Sequence, residues 1–317
     1  MQYRRLGRAG IEVSAIALGS WLTYGTVTDV HVGESCIHAA FEAGINHFDC
    51  ANVYGNQPHD AERFLAQALK EYHRDEYVLT TKAFWPVGSR PNQRGLSRKH
   101  LFHEVDESLK ALNTDYVDIF YCHRADPNVE IEETLRAIDD LVHAGKVLYG
   151  GISEWKPAQI GEALRVQERL HLNPLRASQP KYNLLNRYIE PGVLPMCESA
   201  GIGLVVFSPL AQGLLTGKYR KGETAPQGTR ASESRVNSSM KRLLTEGNLD
   251  RVELLSAVAR DLRISLPQLA LAWVLRQPGI ASALIGASHP DQIKENIQAV
   301  DVALDEETLK RIDTIVA

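Results

Sequence analysis

No apolar run in this 317-residue chain approaches the ~20 residues that a membrane-spanning helix needs. Runs such as Leu204-Val205-Val206-Phe207 are strand-sized, and no apolar segment follows Arg4-Arg5 to suggest a signal peptide. Cysteine is scarce: Cys36, Cys50, Cys122 and Cys197 stand far apart, without metal-site spacing, and read as reduced, buried thiols. Neither sign of charge dominates, with 35 Lys and Arg against 39 Asp and Glu, so there is no basic footprint for nucleic acid or an anionic membrane. Nor is there a Pro/Ser-rich linker of the kind that separates domains. These absences lead us to expect a soluble, cytoplasmic chain in which residues 1–317 form one domain. They give no reason to expect a metal, a nucleic-acid partner or stable membrane insertion.

What is present is a rhythm. After a weakly alternating stretch around Gly7-Arg8-Ala9-Gly10, which reads as a hairpin, short apolar runs alternate with helical spacing. The runs fall at 15–18, 47–49, 77–82, 116–122, 147–152, 177–179, 203–207 and 283–285. Helical stretches at 32–43, 60–70, 97–112, 131–144, 157–170, 189–200, 249–262 and 266–276 follow them, with two more after Pro290 and Asp305. Glycine stops several, as at Gly44 and Gly145, and Asp60 stands where an N-cap is expected. Residues 212–248 are rich in Gly, Ser, Lys and Arg, with weak periodicity. Repeated strand–helix units argue a parallel sheet, and eight strands after the hairpin favour closure into a (β/α)8 barrel with long loops on its carboxyl face.

In such a barrel, polar groups at the carboxyl ends of neighbouring strands meet. Asp49 and Tyr54 follow the second strand, Lys82 ends the third and His123 the fourth. A tyrosine phenol, with an ordinary pKa of about 10, is a weak acid. A lysine ammonium beside it would favour the phenolate, an aspartate would hold that lysine, and a neutral histidine could donate to an oxygen gaining charge. Each residue alone has a plainer structural reading. Four such types at consecutive strand ends form a constellation able to protonate a carbonyl oxygen as hydride reaches its carbon.

Phe48-Asp49-x-Ala51-x-x-Tyr54-Gly55, Thr81-Lys82 and Tyr116-Val117-Asp118-Ile119-Phe120-Tyr121-Cys122-His123 resemble the aldo-keto reductase superfamily, and the resemblance runs from Tyr3-Arg4-Arg5-Leu6-Gly7 to the last helices. Gly19-Ser20-Trp21, Arg94 to His100 and Ser208-Pro209-Leu210-Ala211 resemble most the branch holding voltage-gated potassium-channel β subunits and their bacterial relatives. The resemblance implies a catalytic tetrad of Asp49, Tyr54, Lys82 and His123, with Tyr54 as general acid. It implies that Ser153 and Gln179 hold the nicotinamide carboxamide and that Phe207 stacks on its ring. Ser208, Leu210, Gln212, Gly213, Leu214, Thr216 and Lys218 match the loop that wraps the pyrophosphate. Ile285, Gly286, Ser288, Gln292, Glu295 and Asn296 match the segment that grips the 2′-phosphate and adenine. Gly19, Ser20, Trp21 and Asp49 complete the cofactor set, and Lys218, Arg230 and Ser288 favour NADP(H) over NAD. Two departures stand out: Glu154 replaces the Asn common beside that serine, and Gln292 stands where several relatives have Arg.

Loop residues Trp21, Tyr24, Phe84, Trp85 and Arg124 are expected to line a pocket for a small carbonyl substrate together with Tyr54 and His123. The alternative reading is an NADP-binding regulatory subunit docking on a membrane channel. Channel subunits carry Asn at the position of His123, and no long segment precedes the hairpin in this sequence, so an enzyme is the expectation. Monomer, tetramer and octamer are all compatible with the resemblance.

Overall fold

The computed structural model describes residues 1–24, 29–227, 229–232, 240 and 242–317, so some of the weakly periodic stretch lies outside the described residues. A hairpin of β1 (Tyr3–Arg5) and β2 (Glu12–Ser14) precedes eight parallel strands. These are β3 (Ile16–Gly19), β4 (His47–Asp49), β5 (Val78–Ala83), β6 (Val117–Cys122), β7 (Val147–Ser153), β8 (Ala177–Gln179), β9 (Gly203–Phe207) and β10 (Ile280–Ile285). They pair in chain order, and β10 returns to β3 to close the barrel. The expected (β/α)8 barrel and its hairpin are therefore present.

Strand periodicity decides which side chains enter the barrel. Ala17, Val78, Ile119, Tyr121, Ala177 and Val205 point inward and form one apolar cluster, while Ile16, Leu18, Phe48, Leu79, Phe120 and Leu204 pack outward against the helices. The inward parity carries Asp49, Lys82, Gln179 and Phe207 to the upper end of the interior. Register then aligns them: Asp49 lies beside Thr80, Lys82 beside Tyr121, and Ser153 beside Gln179.

Between the strands run α1 (Val30–Glu42), α2 (Asp60–Leu69), α3 (Arg98–Leu112), α4 (Ile131–His143), α5 (Pro157–Leu170), α6 (Val193–Ala200), α7 (Glu246–Asp261) and α8 (Leu266–Leu275). The chain closes with α9 (Pro290–Asn296) and α10 (Glu306–Val316). Helix starts follow their caps: the Asp29 carboxylate accepts from the His31 and Val32 amides, and Ser265 with Gln268 makes a reciprocal capping box on α8. Two expectations shift. Asp60 is not the cap of α2 but its first residue, and His59 holds the cap position in a left-handed conformation (φ +68°) without a side-chain capping bond. The helix expected from 189 begins at Val193, after Pro191 and Gly192.

The hairpin seals the amino end of the barrel. Leu6, Ala9 and Val13 join the interior cluster, and the Arg4 guanidinium donates to the carbonyls of Leu275 and Ile280 at 2.9 Å. Gly7 adopts φ +56° so close to β9 that a Cβ would lie 2.3 Å from the Gly201 oxygen.

Candidate active site

At the carboxyl end of the barrel the four expected residues come together. Lys82 is fully buried, and its Nζ donates to Asp49 Oδ2 at 2.5 Å and to the Cys50 carbonyl at 2.6 Å. Asp49 Oδ1 accepts from Thr80 Oγ1 (2.7 Å) and Gln179 Nε2 (2.8 Å), so the carboxylate is held from neighbouring and distant strands alike. Tyr54 leans over this pair, with the Lys82 ammonium 4.9 Å from its ring centre, and its hydroxyl lies 3.5 Å from His123 Nε2. Cys122 points into the outer core while His123, one residue on, faces the cleft.

Burial sets the protonation states. Desolvation pushes the Tyr54 phenol well above its ordinary pKa, Asp49 and Cys50 push the same way, and Arg124 opposes them. The net direction is upward, so burial outweighs the lowering expected of a lysine nearby. Burial, then the charges of Lys82 and Arg124, hold His123 well below the ordinary histidine value, so its ring is neutral. His123 Nδ1 is buried without a partner. Placing the ring proton on Nε2 leaves no buried donor unpaired, and we assign that tautomer on this ground.

A cleft of about 720 Å³ opens above the tetrad and runs over β3, β9 and β10. Gly19, Trp21, Asp49, Ser153, Gln179, Phe207, Ser208, Leu210, Gln212, Gly213, Thr216, Lys218, Arg230, Ile285, Gly286, Ser288, Gln292, Glu295 and Asn296 line it, as do Tyr54, Trp85, His123 and Arg124. Five expected residues stand elsewhere. Ser20 is buried, with its hydroxyl on the Asp49 carbonyl (2.8 Å). Leu214 is fully buried in the outer core. Tyr24 is buried, stacked on Phe64 at 4.9 Å, with its hydroxyl turned to the Ala287 carbonyl. Phe84 stands behind the wall, edge-on to Trp85. Lys82 lies beneath the floor rather than on its surface.

Sequence reading missed Thr23, Val53, Pro209, Thr229, Ser265, Leu266, Pro267 and Leu284, which also line the cleft. It also missed a buried polar web behind Tyr54. The left-handed turn at His59 lets its amide donate to the Asn52 carbonyl (2.6 Å), and Ala61 donates to the Tyr54 carbonyl (3.0 Å). The His59 ring bonds Glu62 at 2.6 Å, Glu62 accepts from Thr81, and Asn52 donates to Glu104 at 2.6 Å. The tyrosine-bearing loop is thus tied to β5 and α3.

The far end of the cleft is cationic. Lys218 and Arg230 make no ion pair among the described residues, and desolvation followed by the Arg230 charge lowers the Lys218 pKa. Gly213 and Gly286 are cradles: a Cβ would come within 3.2 Å of Lys218 Nζ at the first, and of Arg230 Nη2 and Thr23 Oγ1 at the second. The connecting loop has positive φ at Ser208, Ala211, Gln212 and Gly213, and its turns are closed by the Ala211 amide on the Ser208 carbonyl (3.0 Å) and the Gly213 amide on the Leu210 carbonyl (2.8 Å). These residues suit a long, phosphate-bearing ligand.

A model of the Aldo/keto reductase family matches residues 15–317. The chain is 41% identical over 321 residues to a probable voltage-gated potassium channel subunit beta of Oryza sativa subsp. japonica, covering 100% of this chain and 97% of that one. It is 39% identical over 324 residues to L-glyceraldehyde 3-phosphate reductase of Escherichia coli K12, covering 100% and 93%. Barrel, strand-end residues and similarity over nearly the full length agree, and the chain belongs to the aldo/keto reductase family of oxidoreductases.

Proposed function

We propose that the protein is an NADPH-dependent reductase that converts an aldehyde or ketone to its alcohol. The observation that carries this reading is the Tyr54 hydroxyl 3.5 Å from His123 Nε2, with Lys82 fixed behind its ring by Asp49. A carbonyl oxygen placed at Tyr54 and His123 meets two donors. Nicotinamide bound along the cleft would supply the hydride. As the carbonyl carbon is reduced, Tyr54 gives its proton to the oxygen, and the Lys82 ammonium offsets the charge left on the phenol. His123 donates from Nε2 without itself changing charge. Ser153, Gln179 and Phe207 line the cleft, and the family resemblance would have the first two orient the carboxamide and the third stack on the ring. Lys218, Arg230 and Ser288 would hold the phosphates, and the two cations favour the 2′-phosphate of NADP(H).

Oxidation of NADPH against aldehydes, ketones and dicarbonyls, with NADH as control, tests this directly. The name of the Escherichia coli relative makes glyceraldehyde 3-phosphate the first compound to try. Tight NADPH binding with no turnover on any carbonyl would instead support a regulatory subunit.

A further inference from the structure

Arg124 lines the cleft but has no task in the reaction proposed above. It follows His123 directly at the end of β6. Its Nη1 donates to the His123 carbonyl at 2.5 Å and to Ser153 Oγ at 3.4 Å, and its guanidinium carbon lies 5.5 Å from the Trp85 ring centre. The group is therefore fixed in position by one of its two terminal nitrogens. No carboxylate pairs with it among the described residues. Glu154 already accepts from the Lys181 amide (2.7 Å) and the Tyr188 hydroxyl (2.6 Å), and Asp49 is engaged by Lys82, Thr80 and Gln179. The Arg124 charge is nonetheless felt at the reaction centre, where it lowers His123 and opposes the rise of Tyr54.

A guanidinium presents five donors in a planar fork, and partial desolvation without a counter-ion is costly until an anion arrives. Here that fork stands beside the two groups that would grip a carbonyl oxygen. We infer that the preferred substrates are short aldehydes or ketones bearing an anionic group, carboxylate or phosphate, and that Arg124 is the residue that binds it. The inference rests on the reductase reading and assigns its substrate class. Trp85, against which the guanidinium packs, would keep the fork level while Nη1 stays tethered to the backbone.

The test compares kcat/KM within matched pairs: succinic semialdehyde against butanal for the carboxylate, and glyceraldehyde 3-phosphate against glyceraldehyde for the phosphate. The wild-type enzyme should prefer the anionic member of at least one pair, and the pair that shows it identifies the anion. Arg124→Gln should reduce that preference by roughly 10- to 100-fold, the range for losing a charged hydrogen bond, with Arg124→Lys in between. The loss should appear chiefly in KM, and raised ionic strength should erode the wild-type preference. Equal use of charged and neutral partners by the wild type would overturn the inference while leaving the reductase reading standing. No reduction of any of the four compounds, or of the wider panel, would remove the reductase reading itself. An Arg124→Gln variant that loses NADPH affinity but keeps its anion preference would place Arg124 on the cofactor, again overturning the inference.

Discussion

The Lys82 ammonium lies 4.9 Å from the centre of the Tyr54 ring, and both its hydrogen bonds go to Asp49 and the Cys50 carbonyl, not to the phenol oxygen. Lys82 is thus a fixed charge behind the ring, and desolvation keeps the phenol protonated. That is the form a proton donor needs. For carbonyl reduction, kcat/KM should stay level between about pH 6 and pH 9, because the acid form of Tyr54 persists throughout. A decline with a midpoint near neutrality would show that the phenol ionises much earlier than its surroundings allow.

Tyr54→Phe removes the proton donor and little else from the cleft. Reduction should fall by about 10²- to 10⁴-fold, while NADPH affinity, read by fluorescence titration, should remain nearly intact. Native-rate reduction by this variant would sink the assignment of Tyr54.

Lys82→Met should abolish reduction and also destabilise the fold by roughly 3–5 kcal/mol, because Asp49 would be left as a buried charge without its ion-pair partner. Adding Asp49→Asn should restore much of the stability but none of the turnover. Paired urea titrations and single-turnover assays separate the two effects.

Stability should depend on pH through two histidines of opposite sign, one buried and one half-buried. His47 sits inside the barrel with neither ring nitrogen bonded, and burial lowers its pKa to about 4. Between about 6.5 and 4 the unfolded chain binds the proton and the folded chain does not, so acidification costs roughly 3 kcal/mol at this site. For His59 desolvation is outweighed by Glu62 and Glu104, and its pKa is raised. Its contribution is complete below the ordinary histidine value and is lost as pH rises through the raised one. Denaturant titrations across pH should find the maximum near 6.5, and His47→Leu should flatten the acid side. An unchanged acid slope in that variant would assign the loss to other groups.

Lys218→Met and Arg230→Met should each weaken NADPH by about tenfold, the range for a charged hydrogen bond, and NADH much less. Isothermal titration with both dinucleotides provides the comparison. Equal losses for the two would place these cations on the pyrophosphate rather than the 2′-phosphate.

The barrel and the placement of Asp49 and Lys82 were legible because both follow from strand periodicity: short apolar runs set the strand count, and parity sent those two side chains inward, whereas Tyr54, on the loop after β4, was legible through its place in the family motif. The loops carry no such rule. Tyr24 reads like Trp21 three residues earlier, yet Gly33 and Phe64 leave it a buried slot and it turns away from the cleft. Phe84 and Trp85 are adjacent aromatics, and only the second reaches the cleft. Ser265, Leu266 and Pro267 carry the signature of a helix start, which their capping box confirms, and nothing in that signature says that the same turn faces a ligand. The pairing of His59 with Glu62 has helical spacing, but the contact between Asn52 and Glu104 joins residues 52 positions apart and leaves no local trace.

The hairpin plug at the amino end has a kinetic consequence. With Leu6, Ala9 and Val13 filling the amino end of the barrel, the way to the tetrad among the described residues is the cleft on the carboxyl face. A dinucleotide lying along the cleft floor has to be seated before a carbonyl compound can come in above it. On the proposed reductase reading, the alcohol, outermost, would leave first and the spent dinucleotide would follow it. One doorway imposes an order of arrival and departure, and product-inhibition patterns should be those of a compulsory sequence rather than a random one.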